Sequence, residues 1–503
     1  MTRLYVYLAA IATVVVALNP WLLTRVERIH GAMLVELAIA GLILAIESAR
    51  AWILAENEPV LPSEPPTTPA RPWRTWLVFA VIFCLWLILF RDRWLNPYIL
   101  YDDKDYLRAS ATWEMTRSNL WMPYNDHLVI PTRVISFLCV QISNESTRPL
   151  VCSLVVIPLY LITLILLFFF ARREWKSDAA GLLAVGFYAL TTCQREIIQW
   201  YSASLWLTAT IALLMSLLLV GDFGAPLRPW RFLAASGLCF LAPFSYSMGL
   251  LVGPLTSVWV LLKRNLHGVT RRLLASALPT ISTLLAVSLI VPILLQFSGA
   301  NHYVVGGSRA FGETIDYLNG IYYSMQFAVD LLFLRNLGIF RTMNVTTEPT
   351  WYYVALFPIP VVAFVLLLRL RPKAVRLLPF GLFVLASYAL TIPFRTWVNY
   401  GDLVYWSRYQ MVPQMGIALL MTGALCHLFP KATGMGRWSL RPGQTVGLIA
   451  LASLLFTLHA GKARSPSRDM TPEKRRTSSS LEVAERSMIG RAFRSQFDEA
   501  DNL

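Results

Sequence analysis

Apolar runs long enough to cross a membrane, separated by short polar connections, recur along almost the whole chain. Thirteen segments qualify: 4–23, 31–53, 76–90, 150–171, 179–193, 200–220, 231–245, 249–262, 273–297, 351–368, 374–393, 411–428 and 444–459. A helix crossing the hydrocarbon core needs about 20 mostly apolar residues. Segments 179–193, 231–245 and 249–262 are short for that and read as tilted, interfacial or re-entrant. The pattern predicts an all-α polytopic membrane protein with about 11–13 transmembrane helices.

The polar connections divide into two kinds. Alternate ones carry the cations: Arg172, Arg173 and Lys176; Arg228 and Arg231; Lys263, Arg264, Arg271 and Arg272; Arg369, Arg371, Lys373 and Arg376; Lys431, Arg437 and Arg441. Arg71 and Arg74 precede the third run. Cytoplasmic connections are rich in Lys and Arg, so these predict the cytoplasmic side. The other side receives two long loops, 91–149 and 298–350, and a short one, 394–410. The stretch 54–75 contains PVLPSEPPTTPARP and reads as an extended linker. It separates a two-span unit, 1–53, from a core at 76–460. The polar tail 461–503 reads as disordered, with a short helix near 480–497, and its side depends on the span count.

Composition agrees with this pattern. The 503 residues are 56% hydrophobic and 15% charged, where a soluble chain carries about a quarter. The mean hydropathy is +0.54. The net charge of +15 sits in clusters between apolar runs, which fits topology and argues against a nucleic-acid stripe. The N-terminal run reads as a retained span, because no small-residue cleavage site follows it. Six scattered cysteines form no CxxC. HExxH, P-loop and GxGxxG patterns do not occur, which removes support for zinc-peptidase, ATPase and Rossmann chemistry.

One segment breaks the apolar character. YDDKDYLRAS and YNDHLVIPTR place Asp102, Asp103, Asp105, Glu114, Asp126 and His127 in the first outer loop. A loop beyond about 15 residues is functional or has structure of its own. Tyr106 to Trp121 reads as one short surface helix. Leu128 to Gln141 reads as a second, capped by Asn125 or Asp126 with Pro131 in its first turn. Adjacent carboxylates at a lipid–water boundary repel, which raises one pKa and suits a general base. His127 and Arg133 suit an anion such as phosphate. The alternative is a solvated face balanced by Lys104, Arg108 and Arg117, favoured for Asp105 and Glu114.

These residues resemble those of the GT-C membrane glycosyltransferases, which include the protein O-mannosyltransferases and the aminoarabinose transferases. Tyr101-Asp102-Asp103 is similar to the acid signature of the family's first outer loop. Pro123 to Arg133 is similar to a second segment, although Leu128 stands where an Arg is usual and Arg133 is the nearest replacement. Ser407-Arg408-Tyr409 with Pro413, and Gln199-Trp200-Tyr201, are further short matches. The resemblance covers residues 75–430 and leaves the first two spans and the tail unexplained.

The resemblance implies an inverting transfer of a sugar from a polyprenyl-phosphate donor to an envelope glycan, lipid or protein acceptor. The site would lie on the extracytoplasmic side of a bacterial inner membrane. Asp102 with Asp103 would be the base or would orient the acceptor, and Arg408, Arg395, His127, Arg133, Tyr409 and Asp126 would bind substrate and phosphate. Arg408 is alternatively an interfacial, snorkelling side chain. No cofactor is expected: family members differ over a divalent metal, and the reading here leans to none. No nucleic acid partner is expected.

Glu313 and Asp316 in the second loop read as solvated charges or a metal or sugar site, and Gly306-Gly307 suits a mobile cover. A transporter or flippase is the first rival, although transporters place ionisable groups near the midplane and often repeat their halves. A polymerase or ligase using similar donors, and a non-catalytic assembly protein, are the others.

Overall fold

A computed structural model of the chain describes residues 40–54, 72–91, 101–123, 128–194, 201, 204–221, 227–262, 269–297, 358–391, 408–433 and 439–463. The expected span 4–23, nearly all of the linker, the loop 298–350 and the tail beyond 463 lie outside the described residues, as do Glu313 and Asp316. Among the described residues the secondary structure is helical, with no strand. The helices are α1 (40–54), α2 (Pro72–Leu89), α3 (Tyr101–Arg108), α4 (Trp113–Asn119), α5 (Ile130–Gln141), α6 (Arg148–Trp175), α7 (Asp178–Ala189) and α8 (Ser204–Val220). They continue with α9 (Pro229–Leu241), α10 (Val252–Leu261), α11 (Val269–Phe297), α12 (Pro358–Leu370), α13 (Leu378–Thr391), α14 (Arg408–Leu428) and α15 (Pro442–Ala463).

Six segments among the described residues are long and apolar enough to cross a membrane. They are Pro72–Leu89, Arg148–Trp175, Arg272–Leu294, Pro372–Leu390, Met411–Leu428 and Pro442–Ala460. The chain is a multi-pass membrane protein. Large apolar side chains left exposed on these helices, such as Leu284, Leu285 and Leu454, are those a bilayer would cover.

The short segment 179–193 has a different role from the one its length suggested. It forms α7, 12 residues long, and every one of them is buried. At 1.5 Å per residue it rises only about 18 Å, and a helix apolar on all sides belongs in a core. It packs against α2, α6, α14 and α15. Gly181 permits the closest approach, since a Cβ there would meet the Phe168 ring of α6. Ser177 caps the start of α7 by accepting from the Ala180 N–H, and its own hydroxyl donates to the Thr433 carbonyl at 2.6 Å. The far end stops inside the bundle. There the Gln414 amide donates to the Phe187 carbonyl at 2.7 Å and the Gln194 amide to the Tyr188 carbonyl at 3.1 Å. Two buried glutamines thus satisfy last-turn carbonyls that have no intrahelical partner. Beside them Trp86, Tyr160 and Tyr188 stack as a three-ring column.

The basic connections gather at one end of the bundle. Asp178 accepts from the Thr75 hydroxyl of α2 and from Arg172 Nε of α6 at 2.6 Å. Arg173 donates to the Leu218 and Leu217 carbonyls that end α8. Arg376 pairs with the buried Glu174 at 3.4 Å, and Arg369 pairs with Glu47 of α1 at 2.6 Å. Glu47 also accepts from Arg50, while Arg272 lies over the Trp52 ring. Cations from three separate connections therefore share one face, and α1 joins it.

Two expectations for the first long loop need correction. Tyr106 to Trp121 is not one helix. The chain breaks at 109–112, where the Thr112 hydroxyl accepts the Met115 N–H and starts α4 afresh. The cap position of α5 is not at Asn125 or Asp126, which lie outside the described residues. Val129 occupies that position without a side-chain bond, and Pro131 does fall in the first turn, where its missing N–H costs nothing.

Candidate active site

Asp103 lies on α3 and is wholly buried. Its Oδ2 accepts the Tyr201 backbone N–H at 3.3 Å. Tyr201 precedes α8, whose opposite end receives Arg173. The helix between them rises about 25 Å at 1.5 Å per residue. The acid is therefore held at the end of the bundle away from the basic connections.

Tyr201 joins three elements there. Its hydroxyl lies 2.9 Å from Ser136 Oγ of α5 and also donates to the Thr132 carbonyl at 3.4 Å. Its ring packs with Leu107 of α3, Cys139 of α5 and Cys152 of α6. Burial, together with the nearby Cys139, Cys152 and Asp103, pushes the Tyr201 hydroxyl well above its ordinary pKa, against the opposing bond from Ser136. The residue stays protonated and serves as a donor. The arrangement is a clamp: one carboxylate and one tyrosine fix α3 and α5 to the heads of α6 and α8.

Arg133 is buried at 3% exposure and donates from Nη2 to the Met122 carbonyl at 3.1 Å. That bond ties α5 to the chain just beyond α4. Leu128, the position where the resembled family has an Arg, is a packing residue. It is buried against Phe244, Ala286 and Ile290, with Phe240, Ile293 and Leu294 around them. A guanidinium there would enter an apolar setting and lack polar partners.

Asp105 and Glu114 are exposed. Glu114 sits in the first turn of α4, where its charge favours the helix dipole. Asp102 is a helical residue of α3, and Arg408 and Tyr409 open α14; their side chains lie outside the described residues, as do Asp126, His127, Arg395, Gln199 and Trp200. The structure thus brings Asp103 and Tyr201 together and places Arg133 on α5, beside the Thr132 that Tyr201 contacts. Ser136 and Thr132 escaped the sequence reading. A Ser and a Thr spaced at i and i+4 on an otherwise apolar surface helix were the available signal. Among the described residues no group of three or more His, Cys, Asp or Glu stands ready to hold a metal.

Comparison with known proteins returns no match among family models, curated proteins or solved structures.

Proposed function

We propose that this chain is an inverting, GT-C-like glycosyltransferase that takes a sugar from a polyprenyl-phosphate donor on the extracytoplasmic face of a bacterial inner membrane. The observation that carries the reading is the buried Asp103–Tyr201 clamp. It fixes the helix bearing Asp102 to the membrane core, at the end opposite the basic connections. The basic end faces the cytoplasm, by the distribution of Lys and Arg.

In this reading Asp102 takes the proton of the acceptor hydroxyl. The acceptor oxygen attacks the anomeric carbon as the bond from that carbon to the phosphate oxygen breaks. The electron pair leaves with the polyprenyl phosphate, and the configuration inverts. Arg408 and Arg395, with His127, meet the developing phosphate charge, because an anion released near lipid needs fixed donors. Tyr409 and Asp126 position the substrate, and Arg133 ties α5 to Met122, just ahead of Asp126 and His127 in the chain. Asp103 acts through structure and does not touch the reacting atoms. Membranes containing the chain, given a panel of polyprenyl-phosphate sugars, should release free polyprenyl phosphate, and Asp102→Asn membranes should not. No release from any donor by the wild type would remove the reading.

A transporter is the second reading, and α7 favours it. A half-length helix ending inside the bundle, its last carbonyls capped by side-chain amides, is the kind of discontinuity transporters place at a binding site. Solute uptake into proteoliposomes, blocked by Gln414→Leu, would move that reading ahead.

A further inference from the structure

The clamp contains a second pair of groups that the proposed chemistry leaves unused. Cys139 of α5 and Cys152 of α6 are both buried, at 1% and 2% exposure, and share one cluster with Leu107 and Tyr201. Both thiols sit in that one buried cluster, on two helices that pack against each other. They come from different helices joined by a tight connection. There the Asn144 side chain accepts from the Thr147 backbone N–H at 2.9 Å and from its hydroxyl at 2.9 Å. Cys139 lies three residues beyond Ser136, so it shares the α5 face that holds Tyr201. Ser143 donates to the Cys139 carbonyl, which fixes the end of that helix.

We propose that Cys139 and Cys152 are joined as a disulfide in the mature protein, a covalent staple that fixes α5 to α6 directly beneath the Asp103–Tyr201 clamp. The inference rests on the orientation given above, because the extracytoplasmic side is the oxidising one. The oxidant is an extracytoplasmic thiol–disulfide oxidoreductase in its disulfide form. The Cys139 thiolate attacks one of its sulfurs, forms a mixed disulfide and expels the partner thiolate. The Cys152 thiolate then attacks the Cys139 sulfur. The oxidoreductase leaves as its dithiol, carrying the two electrons and taking up, by way of solvent, the two thiol protons. Burial of both sulfurs in the finished fold places the reaction before α5 packs, and shields the product afterwards.

The test uses full-length protein from cells. Denatured membranes are alkylated with one reagent, reduced, alkylated with a heavier one, and mapped by mass spectrometry. The heavier label is expected on Cys139 and Cys152 alone, with Cys84, Cys193, Cys239 and Cys426 carrying the lighter one. Protein reduced and unfolded in a harsh detergent, then refolded into a mild one with copper phenanthroline present, is the second arm. A cross-link in both arms supports the proposal. A cross-link only after chemical oxidation overturns the staple in cells and puts the fault on the orientation. No cross-link in either arm overturns it on geometry and leaves the glycosyltransferase reading standing.

Discussion

Asp103 and Asp102 are neighbours in sequence, and the account gives them different work, so substitutions should separate them. Asp103→Ala removes an acceptor from a site with no access to water and leaves the Tyr201 N–H there without it. A hydrogen bond to a charged group is worth about 1.5–3 kcal/mol, and a buried orphaned donor costs about 1–3 kcal/mol. These describe overlapping parts of one loss, so the expected cost is ~2–3 kcal/mol. Asp103→Asn keeps an oxygen of similar reach and loses only the charge, for about 1 kcal/mol. The assay is thermal unfolding of the purified protein in detergent, followed by fluorescence-detected size exclusion. The expected order of melting temperatures is wild type, then Asp103→Asn, then Asp103→Ala, with Asp102→Asn at the wild-type value. Product formation should fall with Asp102→Asn although the protein remains fully folded. A melting temperature for Asp103→Ala equal to that of the wild type would refute the clamp.

Further outcomes follow from the same packing. Gly253 touches α11 so closely that a Cβ would meet Thr283 and the Pro279 carbonyl, whereas nothing lies within 4 Å of a Cβ at Gly237. Gly253→Leu should therefore lower the melting temperature and the folded yield while Gly237→Ala leaves both unchanged; equal effects would contradict the helix contact. Asp178→Ala breaks the bonds to Thr75 and Arg172 that tie α2 and α6 to α7. With Arg172 partly solvated, the expected loss is ~2 kcal/mol, below the 3–5 typical of a fully buried pair, and a melting shift near zero would count against it. Tyr201→Phe loses the bonds to Ser136 and Thr132 and should destabilise by ~1 kcal/mol at neutral pH. The folded state raises this hydroxyl's pKa, so the stabilisation from a protonated Tyr201 is present below the ordinary value of about 10 and declines as the pH rises above it. The gap between wild type and Tyr201→Phe should narrow there, and a gap that widens would reverse the assignment.

Much of this architecture could be read from hydropathy, because lipid imposes one rule on every exposed helix. The runs at 76–90, 150–171, 273–297 and 411–428 all appear as helices within a few residues of their expected ends. The alternation of basic connections likewise anticipated the shared face where Arg172, Arg369 and Arg376 pair with Asp178, Glu47 and Glu174. Segment 179–193 was harder. An apolar run of that length is equally compatible with a marginal span and with a core helix, and only the surrounding helices decide. Its glutamine caps come from positions 194 and 414, one of them more than two hundred residues away.

The site was legible in outline only. The acid pair stood out because charge is rare in such a chain, but the burial of Asp103 depends on α3 meeting α5 and the Tyr201 backbone. The short match Gln199-Trp200-Tyr201 marked the right neighbourhood without the reason, which is that the Tyr201 backbone holds Asp103. Leu128 looked like a defect against the resembled family and is instead a packing residue. The split between α3 and α4 came from Thr112, whose capping role cannot be distinguished by composition from that of any other threonine in the loop.

The most direct measurement is a mass profile of envelope glycolipids and polysaccharides from three strains: wild type, a deletion, and Asp102→Asn at wild-type membrane level. The account predicts that the deletion loses a sugar-bearing species and that Asp102→Asn loses the same one. A profile unchanged on deletion contradicts it, and so does a deletion phenotype that Asp102→Asn fully restores.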